Sequence, residues 1–381
     1  MSMGPPTVPL GQLIQQRNEW IVIDDLARYK RCRVQLHAQG IVQRDIVEGA
    51  QIKTKRQQVC RTGDFLVAEI DAKVGGFGIV PDSLDGAIVS SHYFVFEVNE
   101  SELDRRYLGY YVKTRGFLDQ VKAQGSTNYA AIRPPDVLSY TIPLPPLDEQ
   151  RRIVARIEEL AAKIEEARGL RHLVLAGLRK MLEAQYVKIT RGVPRLPFGD
   201  VAPLVRRPVV VETSGVYPEL GIRSFGKGPF HKPALTGADV GSKKLFRIES
   251  GDLLFNIVFA WEGAVAVARS IDHGRVGSHR FLTCVPKKGV ATARFLRFHF
   301  LTEDGLRSLG EASPGGAGRN RTLGVRALNR IQVPVPPVDT QLWFDQLQDR
   351  VELVRGLYSQ SDIELDALLS AVLDRAFKGE L

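Results

Sequence analysis

The sequence repeats itself at a spacing of about 190 residues, and this internal repeat constrains the fold more than any other feature of the chain. Three short segments recur in the same order: VPLGQL at 8–13 as LPFGDV at 196–201, GDFL at 63–66 as GDLL at 251–254, and SHYF at 91–94 as SHRF at 278–281. Because both order and spacing are kept, we predict that one structural unit is used twice.

A proline-rich segment ends each copy, as IPLPPLDEQ at 142–150 and as VPVPPVDTQ at 333–341. Proline fixes its own φ angle and lacks a backbone N–H, so it continues neither a strand ladder nor a helix. The segment therefore predicts a stiff connector that stops one element and aims the next. Asp148 and Asp339 follow the prolines, and we predict that they are the N-caps of two long helices.

After each connector, apolar residues recur at alternating four- and three-residue steps, which is the periodicity of a coiled coil, with a phase shift near Gly169. The predicted stripes are Ile153, Ile157, Leu160, Ile164, Ala167, Leu170, Val174, Leu178 and Met181, and then Trp343, Leu347, Val351, Val354, Leu365, Leu368, Val372 and Ala376. A helix of roughly 38 residues is about 57 Å long, too long for its own domain to cover. We predict an antiparallel coiled coil about a pseudo-two-fold axis. The alternative, that each helix folds back on its own domain, stays open.

These breaks divide the chain into residues 1–146, 147–190, 191–337 and 338–381, two globular segments that are each followed by a long helix. The globular segments combine short β-branched and aromatic runs, such as Tyr93–Val98 and Leu253–Phe259, with helical patterns such as Leu103–Val121 and Ala293–Leu309. The predicted fold class is a duplicated mixed α/β (α+β) domain with two long helices.

The net charge of +9 is concentrated in one segment. Residues 191–337 hold 22 basic and 11 acidic residues, whereas segment 1–146 has a net charge of +1, segment 147–190 of +2 and segment 338–381 of −5. This asymmetry predicts one surface suited to phosphates and another suited to protein.

Composition also bears on the cellular compartment. Cys32, Cys60 and Cys284 are widely spaced and lack a metal-ligand pattern, so they are predicted to be reduced thiols. The proline-containing start at 1–11 does not resemble a signal peptide, and the apolar run Leu253–Trp261 is too short to cross a bilayer. We expect a soluble, cytoplasmic protein.

Motifs for catalysis are missing from the sequence. Pro134-Pro135 and Pro336-Pro337 lack the preceding Asn or Asp of a methyltransferase motif, and Gly315–Gly318 is followed by Arg319 and Asn320 instead of the Lys-Ser of a phosphate loop. We therefore expect no cofactor and no catalytic residue in this chain.

Two groups of residues resemble catalytic sites but are interpreted as structural. Asp64 with Asp71-Ala72-Lys73 resembles a metal-dependent nuclease cluster, but the second copy keeps only Asp252, so Gly63-Asp64 and Gly251-Asp252 are predicted to be turns that enter strands. His92 and His279 precede aromatic runs and are interpreted as hydrogen-bonded residues at strand starts.

Taken together, the repeat and its connectors resemble the specificity subunit of a type I restriction-modification system. The segments that carry the resemblance are IPLPPLDEQRRIV at 142–154, GIRSFGKG at 221–228, GGAGRNRT at 315–322 and LLSAVLDRAFKGEL at 368–381. Thr340 departs from the pattern, since the first copy has Glu149 at this place.

The resemblance implies that residues 1–146 and 191–337 are target-recognition domains and that 147–190 and 338–381 are spacer helices. Each domain would read one half of a split sequence in double-stranded DNA. The helices would set the spacing and dock two methyltransferase subunits, to which motor-nuclease subunits are added. S-adenosylmethionine and ATP with Mg²⁺ would belong to those partners. Two alternatives stay open: a coiled-coil scaffold that reads no DNA, and a single-chain restriction or methylation enzyme.

Candidate DNA contacts are basic and amide side chains in loops, from which they can reach phosphates and base edges. In the first domain they are Arg44, Lys53, Lys55, Arg56, Gln57 and Gln58, with Ser126, Thr127, Asn128 and Tyr129 in a later loop. In the second domain they are Arg206, Arg207, Arg223, Ser224, Lys227, Lys232, Lys243 and Lys244, with Arg319, Asn320 and Arg321 in the glycine-rich loop.

Overall fold

The computed structural model describes residues 5–121, 131–315 and 321–380. The strands of the first half are β1 (Thr7–Pro9), β2 (Ile14–Gln16), β3 (Trp20–Val22), β4 (Arg28–Gln35), β5 (Gly40–Glu48), β6 (Arg56–Val59), β7 (Phe65–Ala68), β8 (Phe77–Ile79), β9 (Ile88–Val89), β10 (Tyr93–Val98) and β11 (Thr141–Pro143). Its helices are α1 (Arg105–Tyr111), α2 (Arg115–Leu118), α3 (Pro134–Ser139) and the long α4 (Leu147–Thr190).

The second half has the same order of strands, and its α5 and α6 take the places of two short 3-10 turns, Leu10–Gln12 and Gly49–Gln51, of the first half. Its strands are β12 (Arg195–Pro197), β13 (Leu204–Val205), β14 (Pro208–Val209), β15 (Val216–Ile222), β16 (Pro229–Thr236), β17 (Leu245–Arg247), β18 (Leu253–Asn256), β19 (Val265–Val267), β20 (Val276–Ser278), β21 (Phe281–Cys284) and β22 (Gln332–Pro334). Its helices are α5 (Phe198–Val201), α6 (Gly237–Val240), α7 (Ala293–Phe300), α8 (Glu303–Glu311), α9 (Val325–Arg330) and the long α10 (Val338–Ala376).

Strand pairing repeats as closely as the element order. The first half forms the pair β1-β11, the sheet β2-β10-β7-β8 and the sheet β3-β6-β9-β4-β5. The second half forms β12-β22, β13-β21-β18-β19 and β14-β17-β20-β15-β16, which is the same plan. A parallel pairing also recurs, between β4 and β9 and between β15 and β20. The prediction of a duplicated mixed α/β fold is confirmed.

The GDFL and GDLL echoes are turns that enter strands, as predicted. Gly63 and Gly251 have φ angles of +86° and +88°, which a residue with a Cβ rarely adopts. The carboxylate of Asp64 then accepts the backbone N–H of Arg61 at 2.7 Å, and that of Asp252 accepts the N–H of Glu249 at 2.8 Å. The repeated GDFL and GDLL segments therefore form equivalent turns, one before β7 and one before β18.

Contacts divide the chain into two compact units. Unit 1 comprises Met1–Arg171 together with Ser359–Leu381, and unit 2 comprises His172–Tyr358. The core of unit 1 contains the fully buried rings of Phe65, Phe77, Phe96 and Phe117. In unit 2, Phe198, Phe255 and Phe300 meet edge to face, with ring centroids 5.1 to 5.7 Å apart. Such edge-to-face packing is favourable beyond the apolar area that it buries.

Within unit 1, the start of α4 and the end of α10 share one core. Ile153, Val154 and Ile157 of α4 are buried in the same cluster as Val372, Leu373 and Ala376 of α10. Just after α10, the ring of Phe377 lies 4.9 Å from that of Tyr107 and 5.1 Å from that of Tyr111, centroid to centroid.

Within unit 2, the end of α4 and the start of α10 pack together in the corresponding way. Leu182 and Tyr186 share a core with Phe344 and Val351, and the Tyr186 hydroxyl hydrogen-bonds Nδ1 of buried His299 at 2.7 Å. In both units the two helical segments come from opposite ends of their helices, so the predicted antiparallel pairing is confirmed.

The predicted stripe is partly wrong in register. In α4, Leu170 and Val174 are 57% and 43% exposed, whereas Arg171 and Leu175 lie on the less exposed face. The less exposed face advances by two successive four-residue steps, from Leu160 to Ile164 and then to Arg168. From there it includes arginines, which a pattern of apolar residues does not reveal. The long apolar stem of arginine can cover such a seam.

The same kind of error occurs in α10. Trp343 and Leu368 are 47% and 49% exposed, while the neighbouring Phe344 is buried and Leu369 is partly buried. Ile164 and Val351 are buried as predicted, and Leu160 packs partly buried against the unit 1 core. A stripe position that is off by one residue turns its side chain about 100° around the helix axis, which follows from 3.6 residues per turn.

The N-cap prediction for Asp148 and Asp339 is also wrong. Both helices begin before these residues, at Leu147 and Val338, and both aspartates are exposed. The carbonyls of Pro146 and Pro337 accept the first helical N–H groups, including those of Gln150 at 3.0 Å and Gln341 at 3.1 Å. Asp148 instead lies 3.5 Å from Arg151 in an exposed ion pair.

The glutamine that ends each connector motif is the residue that fixes the helix start. Gln150 is fully buried, its Oε1 accepts the N–H of Asp104 at 2.8 Å, and its Nε2 donates to the carbonyls of Glu102 and Pro145, both at 2.9 Å.

Gln341 makes the same three bonds in the second copy. Its Oε1 accepts the N–H of Thr292 at 3.1 Å, and its Nε2 donates to the carbonyls of Val290 at 3.0 Å and Pro336 at 2.7 Å. Asp104 and Thr292 are the N-cap residues of α1 and α7, so one amide joins the connector, the long helix and the next helix of the domain.

We predict that Ile157→Ala lowers the free energy of unfolding by about 2–4 kcal/mol, because it empties a buried core position. Leu368→Ala, which shortens a half-exposed side chain on α10, should cost less than about 1 kcal/mol. Urea unfolding followed by circular dichroism measures both. Equal costs would contradict the corrected register.

We further predict that Gln150→Met destabilises the chain by roughly 2–5 kcal/mol, because it leaves a buried N–H and two carbonyls without their partner at about 1–3 kcal/mol each. Asp148→Ala is the matched control two residues earlier in the same helix turn, and it should change stability by less than about 0.5 kcal/mol. Thermal melting of both variants measures the difference. A Met variant that melts like the wild type would show that the amide does not anchor the helix.

Candidate nucleic-acid interface

The predicted contact residues of the first domain lie around the five-stranded sheet of unit 1. Arg44 is on β5, Lys53 and Lys55 are in the loop before β6, and Arg56 and Gln57 are on β6. Arg44, Lys53 and Arg56 are exposed, and the Arg56 guanidinium lies 4.7 Å above the Trp20 ring. Lys53 and Arg56 are available to a polyanion, and Arg44 is exposed with its Nε 3.6 Å from a carboxylate oxygen of Asp45.

Other predicted residues of this domain are already bound within it. Lys55 pairs with Asp25 and donates to the carbonyl of Gly49 at 2.9 Å. Gln57 is buried, and its Nε2 donates to the carbonyl of Thr54 at 2.6 Å. Gln58 is buried too, with Nε2 donating to the carbonyl of Tyr93 at 2.7 Å. The two glutamines therefore have no exposed donor. The Gln57 amide holds the loop before β6, and the Gln58 amide joins β6 to the start of β10.

In unit 2 the predicted residues fall on two turns and one strand. Arg223, Ser224 and Lys227 lie in the turn between β15 and β16, and Lys243 and Lys244 lie in the loop between α6 and β17. Arg223, Lys227, Lys243 and Lys244 are exposed. Lys232 on β16 is half-buried and pairs with Glu219 at 3.1 Å.

Arg206 and Arg207 point into the domain instead of away from it. Arg206 donates to the carbonyl of Phe281 at 2.9 Å and lies 4.5 Å above the Phe246 ring, and burial lowers the pKa of its guanidinium. Arg207 binds the buried carboxylate of Asp252 at 2.7 Å and lies 3.2 Å from Glu249. Both cations serve the fold.

Arg207 has a counterpart in the first copy, where Arg17 pairs with buried Asp64. These equivalent ion pairs give Asp64 and Asp252 a structural role in both copies, which accounts for their recurrence in the repeat. Within the residues that the structure describes, no group of three or more His, Cys, Asp or Glu side chains is placed to hold a metal ion.

The histidines of the SHYF and SHRF segments, His92 and His279, are both exposed. His92 hydrogen-bonds Glu69 through Nδ1 at 2.9 Å, just before β10, which agrees with its structural interpretation. His279 lies in the turn between β20 and β21. The three cysteines are free and buried.

The glycine-rich loop is described only in part. Arg321 is half-buried, and its guanidinium lies 5.0 Å from the centroid of the Trp261 ring, which anchors this end of the loop by a cation–π contact. The predicted contacts Asn128, Tyr129, Arg319 and Asn320, as well as Ser126 and Thr127, lie outside the described residues.

The basic loops of the two units occupy the same place in the repeat. Lys53 and Lys55 follow the short turn after β5 and precede β6, and Lys243 and Lys244 follow α6 after β16 and precede β17. β6 and β17 hold equivalent positions in the five-stranded sheets. The loop before β6 and the loop before β17 are therefore equivalent, and each carries cations.

Sequence reasoning missed a second basic group on the β4–β5 hairpin. Arg28 and Arg33 are exposed on β4, while Arg31 binds Asp45 with both Nε and Nη2 at 2.7 Å and Lys30 donates to the carbonyl of Ser83 at 2.7 Å. The signal was available in the run RYKRCR at 28–33, in which basic residues crowd one strand.

No helix within 5–121, 131–315 and 321–380 has an apolar stretch that could cross a membrane.

Residues 23–171 match the family model of the type I restriction modification DNA specificity domain. A curated relative, the specificity subunit of the type I restriction enzyme MjaVIII from Methanocaldococcus jannaschii, is 27% identical over 130 residues. That stretch is 33% of this chain and 31% of the relative, so the match spans about a third of either protein.

Solved structures resemble the chain over almost its whole length. The HsdS subunit from Thermoanaerobacter tengcongensis aligns with 99% of this chain and 97% of its own, at 21% identity and a TM-score of 0.61. A structure described as showing complex assembly and conformational transition of the type I R-M system aligns over 99% and 98%, at 22% identity and a TM-score of 0.73. The family model and the curated relative thus each match part of the chain, and the solved structures share its fold over almost the whole length.

Proposed function

We propose that this chain is the DNA-reading subunit of a type I restriction-modification complex and that each α/β unit reads one half of a bipartite target in double-stranded DNA. The observation that carries the proposal is the repeated basic loop, which exposes Lys53 in unit 1 and Lys243 and Lys244 in unit 2. A duplicated protein that presents cations at the same place in each copy is suited to two similar stretches of phosphate backbone.

The exposed cations are the proposed phosphate contacts. Arg44, Lys53 and Arg56 in unit 1, and Arg223, Lys227, Lys243 and Lys244 in unit 2, are exposed in the structure. Arg28 and Arg33 on the β4–β5 hairpin extend the set in unit 1. Arg206, Arg207 and Gln57 are left out, because their polar atoms bind groups of their own domain.

The long helices are the proposed spacer and docking surface. In this proposal α4 and α10 set the distance between the half-sites and bind two methyltransferase subunits, and motor-nuclease subunits complete the complex in the cytoplasm. The chain itself supplies recognition and no chemistry. The proposal assigns S-adenosylmethionine and ATP with Mg²⁺ to the partners. Asp64, the first acid of the group that resembles a nuclease site, is bound by Arg17.

Exchange of residues 191–337 with the corresponding segment of another specificity subunit tests this division of labour. We expect that mapping of methylated bases in cells which carry the partner subunits shows one altered half of a split motif and one unchanged half. Exchange of residues 1–146 should alter the other half. Changes in both halves after a single exchange, or methylation outside a split motif, would contradict the proposal.

The salt dependence of binding tests the repeated basic loop. We predict that Lys243→Ala with Lys244→Ala lowers the slope of log affinity against log salt by about 0.9 for each phosphate that the variant no longer neutralises. Lys287→Ala with Lys288→Ala is the matched control, because it removes the same charge from another exposed pair in unit 2. Fluorescence anisotropy with a labelled duplex measures both slopes. If the two double variants weaken binding equally, the loop has no special role.

A further inference from the structure

The turn between β15 and β16 holds an exposed aromatic ring on a backbone conformation that bulky residues avoid. Phe225 has a φ angle of +60°, and 72% of the residue's surface is exposed. A left-handed conformation at a bulky residue costs free energy, on the order of 1–3 kcal/mol. Glycine follows at positions 226 and 228 with φ angles of +66° and +79°, but the first of the three left-handed places carries phenylalanine.

Neighbouring groups force this conformation without using the ring. The backbone N–H of Phe225 donates to the carbonyl of Glu262 at 2.7 Å, and that of Gly226 donates to the carbonyl of Gly263 at 3.0 Å. The Ser224 hydroxyl donates to the Glu262 carboxylate at 3.0 Å, and Arg297 donates to the carbonyl of Gly226 at 2.8 Å. The backbone is therefore clamped from both sides, while the side chain is left outside.

Unit 1 repeats the clamp and also places a ring at its tip. His37 and Ala38, between β4 and β5, have φ angles of +59° and +53°. Their N–H groups donate to the carbonyls of Val74 at 2.7 Å and Gly75 at 2.8 Å, the counterparts of Glu262 and Gly263. His37 is exposed. Both units keep a strained backbone in this turn and expose a ring on it. Glycine would be enough if the turn only reversed the chain direction, so we infer a further role for the turn.

The surroundings of Phe225 are basic. Arg223 and Lys227 flank it in the sequence and both are exposed. Nζ of Lys227 lies 6.0 Å from the centre of the Phe225 ring. An aromatic side chain between two cations fits nucleic acid, since the cations meet phosphates and the ring meets bases. A protein-binding site would favour fewer free charges around its central aromatic residue.

We propose that the ring of Phe225 contacts bases of the DNA half-site read by unit 2 and that His37 takes the corresponding place in unit 1. This inference rests on the proposed function, because it names the side chain through which that reading occurs. The positive φ angle gives it a distinctive test. Phe225→Gly removes the ring and also relieves the backbone, so stability and recognition should change in opposite directions.

The experiment uses the full chain and two duplexes, one recovered by selection from a random pool and one of scrambled sequence. We expect Phe225→Gly to melt at or above the wild-type temperature and to bind the selected duplex on the order of tenfold more weakly, as expected when one side chain no longer reaches its base. Its affinity for the scrambled duplex should not change. The control Ile271→Ala trims another exposed apolar side chain of unit 2 and should leave both affinities unchanged. Photocrosslinking to 5-iodouracil in the selected duplex should label Phe225.

Two results would overturn the inference while the proposed function stands. One is equal affinity of Phe225→Gly and wild type for the selected duplex, and the other is equal weakening of binding to both duplexes. A lower melting temperature of Phe225→Gly would show that the ring supports the fold, and it too would overturn the inference. If the wild-type chain does not distinguish the two duplexes, the proposed function fails, and the inference fails with it.

Discussion

The arrangement of each unit depends on one buried amide. Gln150 and Gln341 each accept one backbone N–H and donate to two carbonyls, and these three groups belong to the proline connector and to the segment that begins α1 or α7. A buried amide with all three bonds made is specific in direction, because any rotation would leave polar groups unsatisfied. Thus the direction in which each long helix leaves its domain is fixed by hydrogen bonds, while apolar packing along the helix supplies most of the stability.

The internal repeat made the architecture predictable from sequence. Matched segments located both connectors, and the predicted N-caps that follow the connectors located both long helices to within two residues of their starts. Side-chain roles were harder to infer. Asp148 was predicted to be an N-cap because its side chain is of a type that caps helices. In the structure the Pro146 carbonyl accepts the first helical N–H groups, and no sequence pattern indicates that backbone contact. Leu368 looked buried because apolar periodicity does not distinguish a residue that faces the core from its neighbour one position away.

The basic residues show the same limit on prediction. Arg206 and Arg223 are equivalent in a list of charges, yet one is partly buried against Phe246 and the other is exposed beside Phe230. What separates them is the position of a partner that lies far away in sequence, such as the carbonyl of Phe281 for Arg206. A charge count therefore finds the basic domain, and only the fold shows which cations are free.

The discontinuity of unit 1 has a consequence for the order in which the chain can fold during synthesis. Unit 2 is one continuous stretch, His172–Tyr358, whereas the core of unit 1 also needs Val372, Leu373 and Ala376 from the far end of the sequence. Domains usually fold from the N-terminus as they leave the ribosome. Here the sheets of unit 1 are synthesised first, but their core is complete only after the last residues of α10 have been synthesised. Until α10 arrives, Tyr107 and Tyr111 lack the ring of Phe377 that packs on them, so the half-made chain exposes an apolar surface for which a chaperone or a second nascent chain could compete.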